Sequence, residues 1–142
     1  MKSIAGRFFI TGALFALAGM AWGIWMSASQ DHTLSPAHGH LNLIGFVAMS
    51  VFGTYYALTP RAASSQIAPF HYGLSVAAVL VLVPGIVMAI TQAGETMAKI
   101  GSVLALLSMA LFAYAVARYG VGAGDAGTAE SKTPTAQAQP GE

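Results

Sequence analysis

The chain has 142 residues, 56% of them hydrophobic and only 8% charged, with a formal net charge of +1, whereas ordinary soluble domains carry roughly 25% charged residues. A near-neutral chain offers nothing to a nucleic acid or to a strongly charged substrate. It has no cysteine, which excludes disulfides, thiolate metal sites, iron–sulfur clusters and heme attached through Cys-x-x-Cys-His; a heme held by side-chain ligands alone remains open.

The charges leave four uncharged stretches, 8–30, 32–60, 62–94 and 100–117, each able to hold a transmembrane helix of roughly 20 residues. A charge at the bilayer centre costs about 2.5–3.5 kcal/mol on insertion scales, which explains where the charges fall. The sequence therefore predicts an all-α integral membrane bundle of four transmembrane helices, about 4–28, 37–58, 70–91 and 97–119. The first could be taken for a signal peptide, but its apolar run Phe8–Met26 is longer than a signal core of about 7–15 residues, which favours an uncleaved span.

Within helix one, Gly19 and Gly23 form a GxxxG pair whose simplest use is close helix packing inside one subunit. Tyr55 and Tyr56 at the end of helix two, with Trp22 and Trp25, read first as aromatics of the membrane interface. Pro84-Gly85 falls inside helix three and should kink it. Lys2, Arg7, Arg61, Arg118 and Lys132 fall on one side of a four-span chain and Lys99 on the other, so both termini are predicted cytoplasmic. Residues 120–142 are rich in Gly, Ala, Thr, Gln and Pro and are expected to form a disordered cytoplasmic tail.

The chemistry-bearing motif is His38-Gly39-His40 at the mouth of helix two. Residues i and i+2 of an α-helix lie about 200° apart, so a helical pair serves two ligation events on opposite flanks. An extended pair would instead share one face and could hold a single ion. Neutral imidazole suits iron, copper and zinc alike. The competing reading makes both rings interfacial, bonded to loop carbonyls, Asp31 or headgroups. Two imidazoles followed by Asn42 one turn later favour metal or heme, with Asn42 as a partner that orients a ligand. His71, after Pro69-Phe70 at the start of helix three, reads as an interfacial histidine, and His32, beside Asp31 in the outer loop, as a solvated one. The methionines are expected to fill space.

The stretch Ser35-Pro-Ala-His-Gly-His-Leu-Asn-Leu-Ile-Gly-Phe-Val, continuing to Phe52-Gly-Thr-Tyr-Tyr and Leu58-Thr-Pro, resembles subunit I of the heme-copper oxidase and nitric oxide reductase superfamily. That subunit arranges twelve helices as three four-helix arcs with pseudo-threefold symmetry, and one arc carries a His-x-His pair facing two different hemes. The resemblance implies that His38 and His40 are axial ligands of a b-type heme. It also implies that a chain supplying one arc forms a homotrimer, with His38 of one copy and His40 of the next sharing a heme. The family's copper histidines have no counterpart in Val79-Leu-Val-Leu-Val-Pro84, so a complete heme–copper centre is not expected and no catalytic residue is assigned.

Three functions follow in order. The first is a heme-binding protein of the bacterial inner (cytoplasmic) membrane that transfers electrons or holds heme; the sequence names no redox partner or quinone. The second is a copper-binding or copper-handling membrane protein using His38, His40 and His32. The third is a structural subunit without cofactor.

Overall fold

The computed structural model describes residues 3–123; the tail expected from the sequence lies, over 124–142, outside the described residues. Four long helices carry the fold: α1 (Ile4–Ser29), α2 (Ser35–Leu58), α4 (Ile67–Ile90) and α5 (Thr96–Tyr119). A single turn, α3 (Pro60–Ala63), follows α2. Each long helix is long and apolar enough to cross a membrane, and no strand occurs among the described residues. The outer surface is apolar: Leu17, Met20, Ile24, Leu80 and Leu106 are all more than half exposed. In water such a surface marks an interaction face; on four helices of spanning length it is compatible with a bilayer around them.

The ends of the helices are set by local chemistry. Ser3 caps α1, its hydroxyl accepting from the Gly6 N–H at 3.1 Å, and Gln30 ends the helix in the left-handed region at φ 57°. The turn to α2 is held by the Thr33 N–H donating to Asp31 Oδ1 at 2.9 Å and by Ser35 Oγ donating to His32 O at 2.7 Å. Thr33 holds the Asp31 carboxyl below the usual carboxylate range, through its hydroxyl first and its backbone N–H second. Pro36 occupies the first turn of α2, where its missing N–H is no loss. Between α4 and α5 the chain reverses through Gln92 at φ 62° and Gly94 at φ 134°. Glu95 then stands before α5 and pairs with Lys99 at 2.9 Å on the surface.

α2 is not α-helical throughout. Its first part, Ser35–His40, and its last, Met49–Leu58, are α-helical, and Leu41–Ala48 between them is a π-helix. Such a segment accommodates an extra residue in the i→i−4 ladder and recurs at functional sites.

α1 and α2 form an antiparallel hairpin with a constant register. Gly23 faces His38, Gly19 faces Asn42, Gly12 faces Met49 and Gly53 faces Phe8. The Gly19/Gly23 pair is thus consumed inside the subunit. α4 and α5 form the second hairpin, and here two backbones touch. A Cβ built at Gly85 would run into the Met97–Ala98 backbone, and one built at Gly101 into the backbone of Leu82. The chain remains helical through Pro84; what Gly85 supplies is this close approach.

The core lies in two parts. At the end that holds Ser3, the side chains of Phe8, Met49, Phe52, Tyr55 and Tyr56 pack with Ala62, Ala68 and Ala115. At the other end Ala37 and Leu41 of α2 pack on Val79 and Val83 of α4. Tyr55 and Tyr56 are therefore buried and not interfacial. The Tyr55 hydroxyl donates to Ala115 O at 2.9 Å and ties α2 to α5. A 2.8 Å bond between the Thr11 and Tyr72 hydroxyls ties α1 to α4.

Candidate site at the head of the second helix

His38 and His40 sit in the α-helical part of α2, so the extended geometry does not occur and the two rings leave on different flanks. Ala37, between them and α4, is fully buried, and each histidine takes a different side of it.

His38 turns toward α1. Its ring meets Trp22 edge-on, centroids 6.2 Å apart with an interplanar angle of 90°, and a Cβ at Gly23 would stand 3.2 Å from its Cε1. Asn42, one turn on, donates from Nδ2 to His38 O at 2.9 Å, and the same amide nitrogen lies 3.3 Å from His38 Nε2. That second distance is at the long end for an N–H bond, so Asn42 orients the ring without saturating it. The amide itself fits only because residue 19 is glycine: a Cβ there would overlap the Asn42 side chain. His38 Nδ1 is buried with no hydrogen-bond partner.

His40 is exposed. Its Nδ1 lies 2.7 Å from Pro36 O, and since a carbonyl only accepts, Nδ1 carries the proton and donates. In the neutral ring Nε2 holds the lone pair, on a residue that is exposed. A ring nitrogen fixed by a backbone carbonyl, with its other nitrogen unprotonated and free, is the usual state of a histidine that ligates iron, copper or zinc.

Beside His38 lies an open groove of about 460 Å³ lined by Met20, Gly23, Ile24, Ser27, His38 and Asn42. It is apolar apart from Ser27 and the two site residues. These features fit a heme edge: two imidazoles on opposite flanks, one with a free Nε2, and a smooth apolar wall. They do not gather a metal cage, because among the described residues no three His, Asp or Glu side chains come together. His32 bonds within its own loop, Nδ1 lying 3.3 Å from Gln30 O.

Gly19, Trp22 and Gly23 of α1 stand against the Asn42 and His38 side chains, although the sequence reads the two glycines as packing residues and Trp22 as an interface aromatic. The signal was present in the matched spacings: two glycines four apart on α1, and His38 and Asn42 four apart on α2, meet across an antiparallel hairpin.

His71 is the larger departure. It is not interfacial but fully buried, because α4 starts at Ile67 and places it more than a turn inside the helix. Its Nδ1 lies 3.0 Å from the Tyr56 hydroxyl, far along the bundle from the pair at the head of α2. In comparisons with protein-family models, characterised proteins and solved structures, none matches this chain, and its reading rests on the geometry above.

Proposed function

We propose that this chain is an integral membrane protein that binds b-type heme at interfaces between its own copies, with His38 of one copy and His40 of the next as axial ligands. The observation that carries this reading is the His40 ring, held by Pro36 O so that a free Nε2 faces out of the subunit. A single chain cannot bring that nitrogen and His38 to one iron, since the rings leave α2 on different sides, so the second ligand has to come from another copy. A homotrimer, one four-helix arc per copy, closes such a set of contacts.

A heme held by two imidazoles supplies one-electron transfer and leaves no open coordination position, so the function is electron transfer or heme holding and not substrate turnover. The protein's part is to supply ligands, fix the His40 tautomer through Pro36 O, and offer the apolar residues of α1 beside His38. The distribution of Lys and Arg supports both termini on the cytoplasmic side and the histidine pair at the outer face; the membrane we propose is a bacterial inner membrane.

The test is the absorption spectrum, oxidised and reduced, of the detergent-purified protein from heme-replete cells, with native mass spectrometry for copy number. A Soret band that is lost in both His38→Ala and His40→Ala, each still helical and folded, is the expected result. A folded, colourless, metal-free oligomer would sink the proposal in favour of a structural subunit. Copper without iron in elemental analysis would sink it in favour of copper handling, a reading that the dispersed position of His32 does not favour.

A further inference from the structure

A further histidine, His71, lies away from the pair at the head of α2. His71 has no exposed surface. Ring centroids of Phe52, Phe8 and Phe112 stand 4.5, 5.5 and 6.1 Å from its own. Tyr56 Oη and His71 Nδ1 are 3.0 Å apart, and Nε2 is buried without a hydrogen-bond partner. An ionisable ring with an unsatisfied nitrogen inside a membrane bundle is costly, and a phenylalanine would fill the same space without that cost. Its partner leads outward. Tyr56, itself 2% exposed, lines an open groove with Ser3, Pro60 and Ser64 at the end of the bundle that holds Ser3.

We infer that the Tyr56–His71 pair is a proton-binding site loaded from water in this groove. In the resting pair the Tyr56 hydroxyl donates to Nδ1 and the ring proton sits on Nε2. Loading moves one proton along two bonds. A hydronium ion in the groove gives a proton to Tyr56 Oη and leaves as water while the original Tyr56 O–H bond breaks, and that released proton forms the Nδ1–H bond. The product is an imidazolium donating to a neutral tyrosine whose hydroxyl now points to the groove.

The surroundings decide how the charge is held. Phe8 faces the ring from α1, Phe52 and Tyr56 from α2, Phe112 and Ser108 from α5, with Tyr55 beyond Tyr56 and Tyr72 beside it on α4. None of these groups is charged, and tyrosines are the only titratable ones. No carboxylate answers the imidazolium, and the faces of the three phenylalanine rings take that role as in a cation cage.

The site stands at the opposite end of α2 from His38 and His40 and does not depend on heme. It is tested on the full-length protein in lipid nanodiscs with ¹⁵N-labelled histidine, following the ring nitrogens from about pH 9 to about pH 4, either side of the ordinary imidazole range. The His71 signals are identified by their loss in His71→Gln. The expected result is a neutral ring protonated on Nε2 at high pH, converting reversibly to imidazolium with the fold intact. Ala57→Trp, placed at an exposed residue lining the groove, should abolish exchange of the Nδ1 proton with water without altering the neutral tautomer, and Tyr56→Phe should abolish that exchange as well. A His71 ring that stays neutral over the whole range in folded protein overturns the inference. So does loading at the wild-type rate in Ala57→Trp, which decides the matter alone if Tyr56→Phe does not fold.

Discussion

His40 and His71 each have one ring nitrogen bonded, yet they face opposite problems: one turns its second nitrogen to the outside, the other hides a polar atom among phenyl rings. The back-to-back placement of His38 and His40 was readable from their spacing, because two residues of helix always subtend the same angle. The burial of His71 was not readable. Pro69 and Phe70 look like a helix start, and nothing local reveals that α4 begins three residues sooner. The same limit hid Tyr55, whose hydroxyl bond to Ala115 O crosses 60 residues of chain. Tyr55→Phe should cost about 0.5–1.5 kcal/mol, the net worth of a buried neutral hydrogen bond, measured by reversible unfolding in mixed micelles. At the turn before α2, Asp31 makes a pH-dependent contribution. Its carboxyl is depressed by Thr33, so the stabilisation is present at neutral pH and disappears as pH falls through the folded value. Melting curves of the parent and Asp31→Asn should differ at neutral pH and coincide in strong acid.

Among the helices, the gaps between charges made four apolar spans legible, but not the faces those spans bury. A lipid-facing residue and a core-facing residue are equally apolar in a membrane helix, so amphipathic periodicity carries little information there. Small residues were the better guide. Gly101 and Gly85 mark where α4 and α5 meet backbone to backbone, whereas Gly73 on α4 has nothing within 4 Å of a built Cβ. The two classes predict opposite signs for one substitution. Gly101→Ala should destabilise by about 1–3 kcal/mol through overpacking, and Gly73→Ala should stabilise by roughly 0.5–1 kcal/mol through helix propensity. The same unfolding assay reads both. If Gly101→Ala were neutral, the α4–α5 contact would be looser than the structure shows.

For the molecule as a whole, the polar chemistry is segregated: a ligand-type pair at the head of α2, a Tyr–His pair toward its foot, and an apolar outer wall around both. The foot is drawn together by the Gly122 N–H donating to Thr59 Oγ1 at 3.0 Å, which lashes the end of α5 to the turn after α2. Between head and foot lies the π-helical segment Leu41–Ala48. A residue inserted into an α-helix would rotate everything after it by about 100°, whereas one absorbed in a π turn leaves both flanks facing their partners. The segment therefore works as a spare link. Deleting Val47, whose side chain is 46% exposed, should let α2 close as a plain α-helix with His38 still against Gly23 and Tyr56 still against His71. Deleting the equally exterior Leu80 from α4 should swing His71 and Val83 out of phase and unfold the bundle. Circular dichroism melts of the two single-residue deletions distinguish these outcomes. A chain that can lose one residue at that link can also change its length there, so the His38/His40 end and the Tyr56 end of α2 are free to vary independently of one another.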